Sequence, residues 1–428
     1  MSDPLALGRK QTVSQLYNWN HAVVPGSRGE DEASLIDRRQ LLRMIGAIAA
    51  LGATGGAAAC SSALPTTQLE VPNGRTISIG LVTPALGAFA KIGDDIQKGF
   101  KLFLDDHNNL LGLNRVDLKT AEEGPTPDSA AAAVKGLLDQ GVIAIAGVAS
   151  PAALAPVSQT MLDARIPLLA CCSAAKSVTS PYLWRTASVE GEAGQALASF
   201  ARGEGGNAWL FYDDASNAEA SSFKKWYQQV GGKIIGETAG KQSLVSRLQA
   251  ARADGADIIF ASYNGADALA LVQAYRDSGL GIKLIGPGGL TESADLGTVQ
   301  WPAITSTNIY TDMYYAADLA NQDNRQFVSS YFRTHGVQPS CYAMAAYDTA
   351  LVLDKALRLV RGTPTGPDLN NAFSSVGQIE SPRGAWMFNK DRGPQQRWYL
   401  RRLRSDGQVL GNLLDADLQV LSPDPPTS

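Results

Sequence analysis

From Thr76 to Gly286 short apolar runs alternate with segments of helical periodicity, and this pattern restricts the fold more than any other feature of the chain. The runs TISIGLV (Thr76–Val82), VIAIAG (Val142–Gly147) and IPLLA (Ile166–Ala170) are nearly continuous in apolar residues, as strands covered on both faces must be. A shorter strand is predicted around Val116–Thr120. Between them Gly93–Asn108 repeats Ile96, Phe100, Phe103 and Leu104 at helical spacing, and Ala130–Gln140 and Ala152–Ala164 read as further helices. After Leu183-Trp184-Arg185-Thr186 the alternation starts again. Strands Ala208–Tyr212, Lys233–Glu237, Asp257–Ser262 and Lys283–Gly286 are interleaved with helices Glu192–Arg202, Ala218–Val230, Leu244–Asp254 and Ala266–Ser278. The fold class is α/β, with two doubly wound parallel-sheet lobes. A strand Thr305–Tyr310, helices Arg325–His335 and Tyr342–Arg361, and a hairpin-like end at Ala385–Arg404 complete the reading.

Two such sheets side by side present the carboxyl ends of their strands to a shared cleft, the default binding site of this class. Gly80-Leu81-Val82-Thr83-Pro84 breaks any GxGxxG after the first strand, and no GxxxxGK[ST] occurs, so no nucleotide cofactor is expected. The formal charge of −4 and the lack of a basic patch interleaved with aromatics argue against nucleic acid. His21, His107 and His335 are widely spaced, and Cys60, Cys171, Cys172 and Cys341 show no ligand spacing, so no metal is expected. Catalysis lacks a nucleophile with a base: no GxSxG is present, and neither His107 nor His335 follows a sheet strand.

The first 59 residues read as an export signal that is removed. Asp37-Arg38-Arg39-Gln40-Leu41-Leu42-Arg43 resembles a twin-arginine signal and leads into the uncharged run Met44–Ala59. Sixteen helical residues rise only about 24 Å against a hydrocarbon core of about 30 Å, which argues against a permanent span. The run closes on Ala57-Ala58-Ala59-Cys60-Ser61-Ser62, which resembles a lipobox, although Ala57 stands where Leu is commoner. Cys60 is the expected lipidation site, on the outer face of the cytoplasmic membrane; a buried Ala/Gly helix with an incidental cysteine is the competing reading. Residues 60–75 form a lipidated tether, and a strained disulfide between the adjacent Cys171 and Cys172 competes with two ordinary buried thiols.

One loop carries its own physics. Ser150 as N-cap and Pro151 at the first helical position open a helix whose free N–H groups, at Ala152 and Ala153, suit an anion or carbonyl oxygen. An efficient helix start with no ligand explains Ser-Pro equally well.

The stretches ISIGLVTPALGAFAKIGDDIQKGFKLFLDDHN, DQGVIAIAGVASPAALAPVSQTMLDARIPLLA, LWRT and ARADGADIIFASYNGADALALVQAYRDSGLGIKLIGPGG, in this order, resemble the type I periplasmic binding proteins. The nearest resemblance is to the leucine/isoleucine/valine-binding receptors of ABC importers, over Thr76–Ser422. It implies two lobes joined by three crossovers near Arg185, Thr311 and Gln378, closing on a small ligand and presenting it to a membrane permease. Lobe 1 would comprise 76–185 and 312–378, lobe 2 would comprise 186–311 and 379–422, and 423–428 would be a tail; a monomer is expected. Residue by residue, the resemblance places Phe89 and Ile92 over the ligand, Ser150 and Ala152 on its carboxylate, and Cys172, Ser173 and Ala174 in the next loop of that lobe. From the second lobe it brings Asn217, Tyr263 and Asn264, and from the third segment Tyr342. The acidic residue that pairs with an amino acid's ammonium in relatives is matched by Gly288, with Asp213 or Asp214 as substitutes. An envelope regulator of the same fold without transport is the alternative.

Overall fold

The computed structural model describes residues 75–172, 175–213, 217–292, 308–406 and 409–418. The export signal, Cys60, most of the tether, Ser173, Ala174, Asp214 and the tail lie outside the described residues.

The first alternating segment folds as β1 (Thr76–Thr83), α1 (Ala90–Asp106), β2 (Leu110–Leu111), β3 (Asn114–Glu122), α2 (Pro127–Leu138), β4 (Ile145–Gly147), α3 (Leu154–Ala164), β5 (Leu168–Ala170) and β6 (Leu183–Arg185). The second gives α4 (Glu192–Glu204), β7 (Asn207–Tyr212), α5 (Asn217–Gln229), β8 (Lys233–Ala239), α6 (Leu244–Ala253), β9 (Ile258–Ser262), α7 (Gly265–Asp277), β10 (Lys283–Pro287) and β11 (Ile309–Met313). Three helices follow: α8 (Gln322–His335), α9 (Cys341–Leu359) and α10 (Gly366–Phe373). The chain ends in a short ribbon, β12 (Met387–Phe388) with β13 (Pro394–Gln395), and a long hairpin, β14 (Trp398–Asp406) with β15 (Val409–Leu418).

The first sheet has the order β2-β3-β1-β4-β5-β6, parallel except at β2; the second runs β15-β14-β11-β10-β9-β7-β8 and becomes antiparallel beyond β11. In the first sheet the strand order reverses between β1 and β4, where Val82 pairs with Gly147. That switch point is where open α/β sheets hold ligands.

Local sequence accounts for the elements. Ile92, Ile96, Phe100 and Phe103 line the buried face of α1, which packs against α9. Thr126 and Ser129 exchange side-chain and backbone hydrogen bonds as a capping box, with Pro127 at the first turn of α2. Asn321, Ser340 and Thr365 cap α8, α9 and α10 in the same manner.

Each lobe has its own core, and a further cluster joins them: Ala187, Met313, Tyr314, Tyr315, Tyr331, Met344, Trp398 and Tyr399 are all buried together. Ile379, Trp386 and Phe388 pack with Trp184 in the first core even though they follow Gln378. Among the described residues no helix is long and apolar enough to cross a membrane.

Two expectations shift. The strand predicted at Thr305–Tyr310 runs Ile309–Met313, which draws Thr311 into the sheet. The hairpin predicted to end at Arg404 has its main turn later, and β15 forms its second strand.

Candidate functional site

The switch point of the first lobe is built on an unusual backbone. Gly147 (φ +112°) and Val148 (φ +62°) both lie in the left-handed region, and a Cβ on Gly147 would stand 2.0 Å from the Val82 carbonyl oxygen. A β-branched residue at positive φ is a strained exception and persists only where its surroundings hold it. Here the Val148 N–H donates to Val82 O at 2.9 Å, and the Cys172 thiol donates to Val148 O at 2.7 Å.

The twist turns the next two N–H groups inward, onto a carboxylate. Glu123, just past β3 and 0% exposed, accepts from Ala149 and from Ser150, both at 2.8 Å. Burial pushes its pKa above the ordinary glutamate value, the two N–H donors oppose that rise, and Glu122 adds to it. The Ser150 N–H is therefore committed to the protein. Pro151–Ala153 forms a 3₁₀ turn ahead of α3, and the Ala153 N–H closes on Ser150 O at 3.1 Å, so it is not free for a ligand as the sequence suggested. The Ser150 hydroxyl caps nothing, and it and the Ala152 N–H have no partner among the described residues.

Phe89 occupies the N-cap position of α1, and Ile92 follows in its first turn. Both pack in the first core, Phe89 only partly buried, and Tyr342 from the start of α9 packs against the same cluster. Phe89, Ile92 and Tyr342 thus share one cluster, with Ile92 buried inside it. Cys172 is buried, and burial together with the nearby Glu123 and Cys171 holds its thiol neutral, far above the usual range. Cys171, Cys172 and Cys341 are free thiols.

The second lobe departs further from expectation. Tyr263 is 1% exposed in the lobe's core and donates its hydroxyl to Gly240 O at 2.7 Å, so it is a packing residue. Asn264 is exposed at the N-cap of α7, and Asn217 opens α5. Gly288 is buried just after β10; a Cβ there would lie 2.6 Å from Asp312 O, 2.9 Å from Arg401 Nη2 and 2.2 Å from the flexible Met313 methyl. The backbone contact leaves no room for an acidic side chain.

Arg401 is a cation the sequence reading passed over. It projects from β14 and pairs with Glu292 at 2.9 Å, both groups being nearly wholly buried. Asp312, at the end of β11, is fully buried and is held well above the usual carboxylate range by desolvation, with Glu219 adding to the shift. A third buried charge ties the lobes. Arg383 pairs with Asp348 of α9 at 2.8 Å, donates to Ala187 O at 3.4 Å, and lies against the rings of Trp386 and Tyr314. It therefore joins segments far apart in the chain, around Ala187, Tyr314, Asp348 and Trp386.

His107 stacks on Phe103 within α1, and His335 packs edge-on against Tyr331. Among the described residues no group of three or more His, Cys, Asp or Glu could hold a metal ion.

Two doubly wound sheets with strand-end loops facing a hinge define a two-lobed solute-binding architecture. A sequence model of the periplasmic binding protein family matches residues 76–408, and the chain belongs to that family. It is 26% identical over 350 residues to the Leu/Ile/Val-binding protein homolog 6 of Brucella melitensis, covering 76% of this chain and 87% of that protein. In fold it is similar to a solute-binding protein of an ABC transporter from Rhodopseudomonas palustris BisB5, solved with 3,4-dihydroxybenzoic acid (TM-score 0.72, 22% identity, 81% of this chain and 98% of the other). A branched-chain amino acid transporter substrate-binding protein from Streptococcus pneumoniae, solved with isoleucine, is also similar in fold (TM-score 0.69, 19% identity, 80% and 100%).

Proposed function

We propose that this chain is the extracytoplasmic receptor of an ABC importer, without catalytic activity, and that it captures a small aromatic or apolar carboxylate rather than an amino acid. Family membership supports the receptor role, and the ligands of similar folds span both chemistries. The observation that carries the choice is Gly288. A cleft that closes removes water, and an ammonium enclosed there needs a carboxylate; Gly288 supplies none, has no room for one, and faces Arg401. In the first lobe the Ser150 hydroxyl and the Ala152 N–H are the donors for the ligand's carboxylate, and Phe89, Ile92 and Tyr342 receive its body. Cys172 borders the site from the first lobe, and Asn217 and Asn264 border it from the second.

Calorimetry on the unmodified protein tests the reading. Benzoate and 3,4-dihydroxybenzoate should bind in the micromolar range or tighter. Leucine, isoleucine and valine should bind at least about 100-fold more weakly, since an unpaired buried charge costs several kcal/mol. Micromolar binding of any of the three would overturn the proposal.

The anchor is proposed at Cys60, with Arg38-Arg39 directing export. Cys60→Ser should yield an uncleaved or freely soluble product; membrane retention with unchanged processing would refute it.

A further inference from the structure

At the carboxyl ends of β10 and β11 the second lobe holds polar atoms with no partner among the described residues. Arg401 is 3% exposed, and its Nε and Nη2 have no hydrogen-bond partner among the described residues; its Nη1 serves Glu292 and Tyr315 O. Both carboxyl oxygens of Asp312, 0% exposed, are likewise without a partner. Buried polar groups are as a rule hydrogen-bonded, so these atoms call for partners beyond the described residues. Of these atoms Arg401 Nη2 is the one that reaches Gly288, standing 2.9 Å from where its Cβ would be, while Asp312 meets the same point with its backbone oxygen at 2.6 Å.

We propose that Arg401 Nη2 is a specificity-determining donor that reads an uncharged oxygen, a hydroxyl, at the end of the ligand opposite its carboxylate, so that hydroxylated aromatic acids are the substrate class. This rests on the aromatic-carboxylate reading of the site and extends it. The charge balance sets the type of oxygen. Glu292 already neutralises Arg401, and burial pushes the Asp312 carboxyl well above the usual carboxylate range. A second carboxylate on the ligand would therefore enter a neutral, desolvated subsite as an unbalanced charge, whereas a hydroxyl adds an acceptor with no net charge. The Met313 methyl lies over the same point, 2.2 Å from the Gly288 Cβ position, and its three rotatable bonds let it withdraw as the ligand enters.

Calorimetry with matched ligands tests the subsite. On the unmodified protein 4-hydroxybenzoate should bind about tenfold or more tightly than 4-methylbenzoate, which has the same shape without the acceptor, because a hydrogen bond from a charged donor is gained. Terephthalate should bind more weakly than 4-hydroxybenzoate. In Arg401→Lys, which keeps a cation opposite Glu292 and loses Nη2, the ratio of 4-hydroxybenzoate to 4-methylbenzoate affinity should fall to near one. Equal binding of these two ligands to the unmodified protein, or tighter binding of terephthalate, overturns the subsite and leaves the aromatic-carboxylate reading standing. An unchanged ratio in Arg401→Lys overturns the role of Arg401. Binding of leucine with no aromatic acid bound overturns the underlying reading instead. The ligand series on the unmodified protein decides the matter even if the variant does not fold.

Discussion

Replacing Arg383 by methionine should lower the unfolding free energy by about 3–5 kcal/mol, the cost of breaking a buried ion pair by removing one partner. Asp348 would be left 0% exposed, with the Ser381 hydroxyl donating at 2.9 Å and the Trp386 N–H beside it. The cost exceeds that of a surface pair because no water can reach the orphaned carboxylate, and burial already pushes the Asp348 pKa up even with Arg383 beside it. At roughly 2–4 °C per kcal/mol for a body of this size, the melting temperature should drop by roughly 6 °C or more. The double variant Arg383→Met, Asp348→Leu should recover most of the loss, since apolar groups of similar volume replace buried pairs at little cost. Denaturant melts on the three variants measure this. A single-variant loss below about 1 kcal/mol would show that the pair does not carry the hinge.

The residues that build this hinge explain what the sequence could and could not disclose. Alternation of apolar runs with helical periodicity is a local property, so β1, α1, β4 and β5 appear within a few residues of their predicted bounds. The strand at Ile309–Met313 was displaced because its second half is Thr311-Asp312, which reads as polar loop. Those residues enter the sheet because Thr311 faces the Thr291 hydroxyl at 3.2 Å and Asp312 is enclosed by the second lobe, both contacts with distant segments. Tyr263 follows a strand and Tyr342 opens a helix, and both read as rings at the end of an apolar element. Only the course of the loop at Gly240, which receives the Tyr263 hydroxyl, assigns one to the core and leaves the other half-buried. The gain and the limit are clearest at Ser150: the Ser-Pro start was legible, but the partner that consumes its N–H lies 27 positions earlier. Glu122-Glu123 at a strand end was the available signal, since strand ends are where such sheets carry their site residues. Arg401 had no such signal, because its position depends on the register of β14 against β11.

The largest effect at the site itself is expected at Glu123. Glu123→Ala leaves the buried Ala149 N–H and the part-buried Ser150 N–H with no acceptor, at about 1–3 kcal/mol for each, so stability should fall by about 2–6 kcal/mol. Val148 keeps its bonds to Val82 and Cys172, but the loop beyond it loses its anchor, and the Ser150 hydroxyl and Ala152 N–H lose their placement together. Affinity for the carboxylate ligand should therefore drop by at least about tenfold, although Glu123 does not itself meet the ligand. Glu123→Gln keeps an oxygen acceptor and should lose less of both. Its pH behaviour separates charge from geometry. Because the folded-state pKa of Glu123 is raised, its contribution to stability is fully present below the unfolded glutamate value and is lost as pH rises through the folded value. The stability deficit of Glu123→Gln relative to the unmodified protein should accordingly shrink as pH rises above the ordinary glutamate value of 4.5, since the amide carries no charge to desolvate. A deficit that grows with pH would mean that the ionised carboxylate is the stabilising form, and would reverse the electrostatic account of the loop.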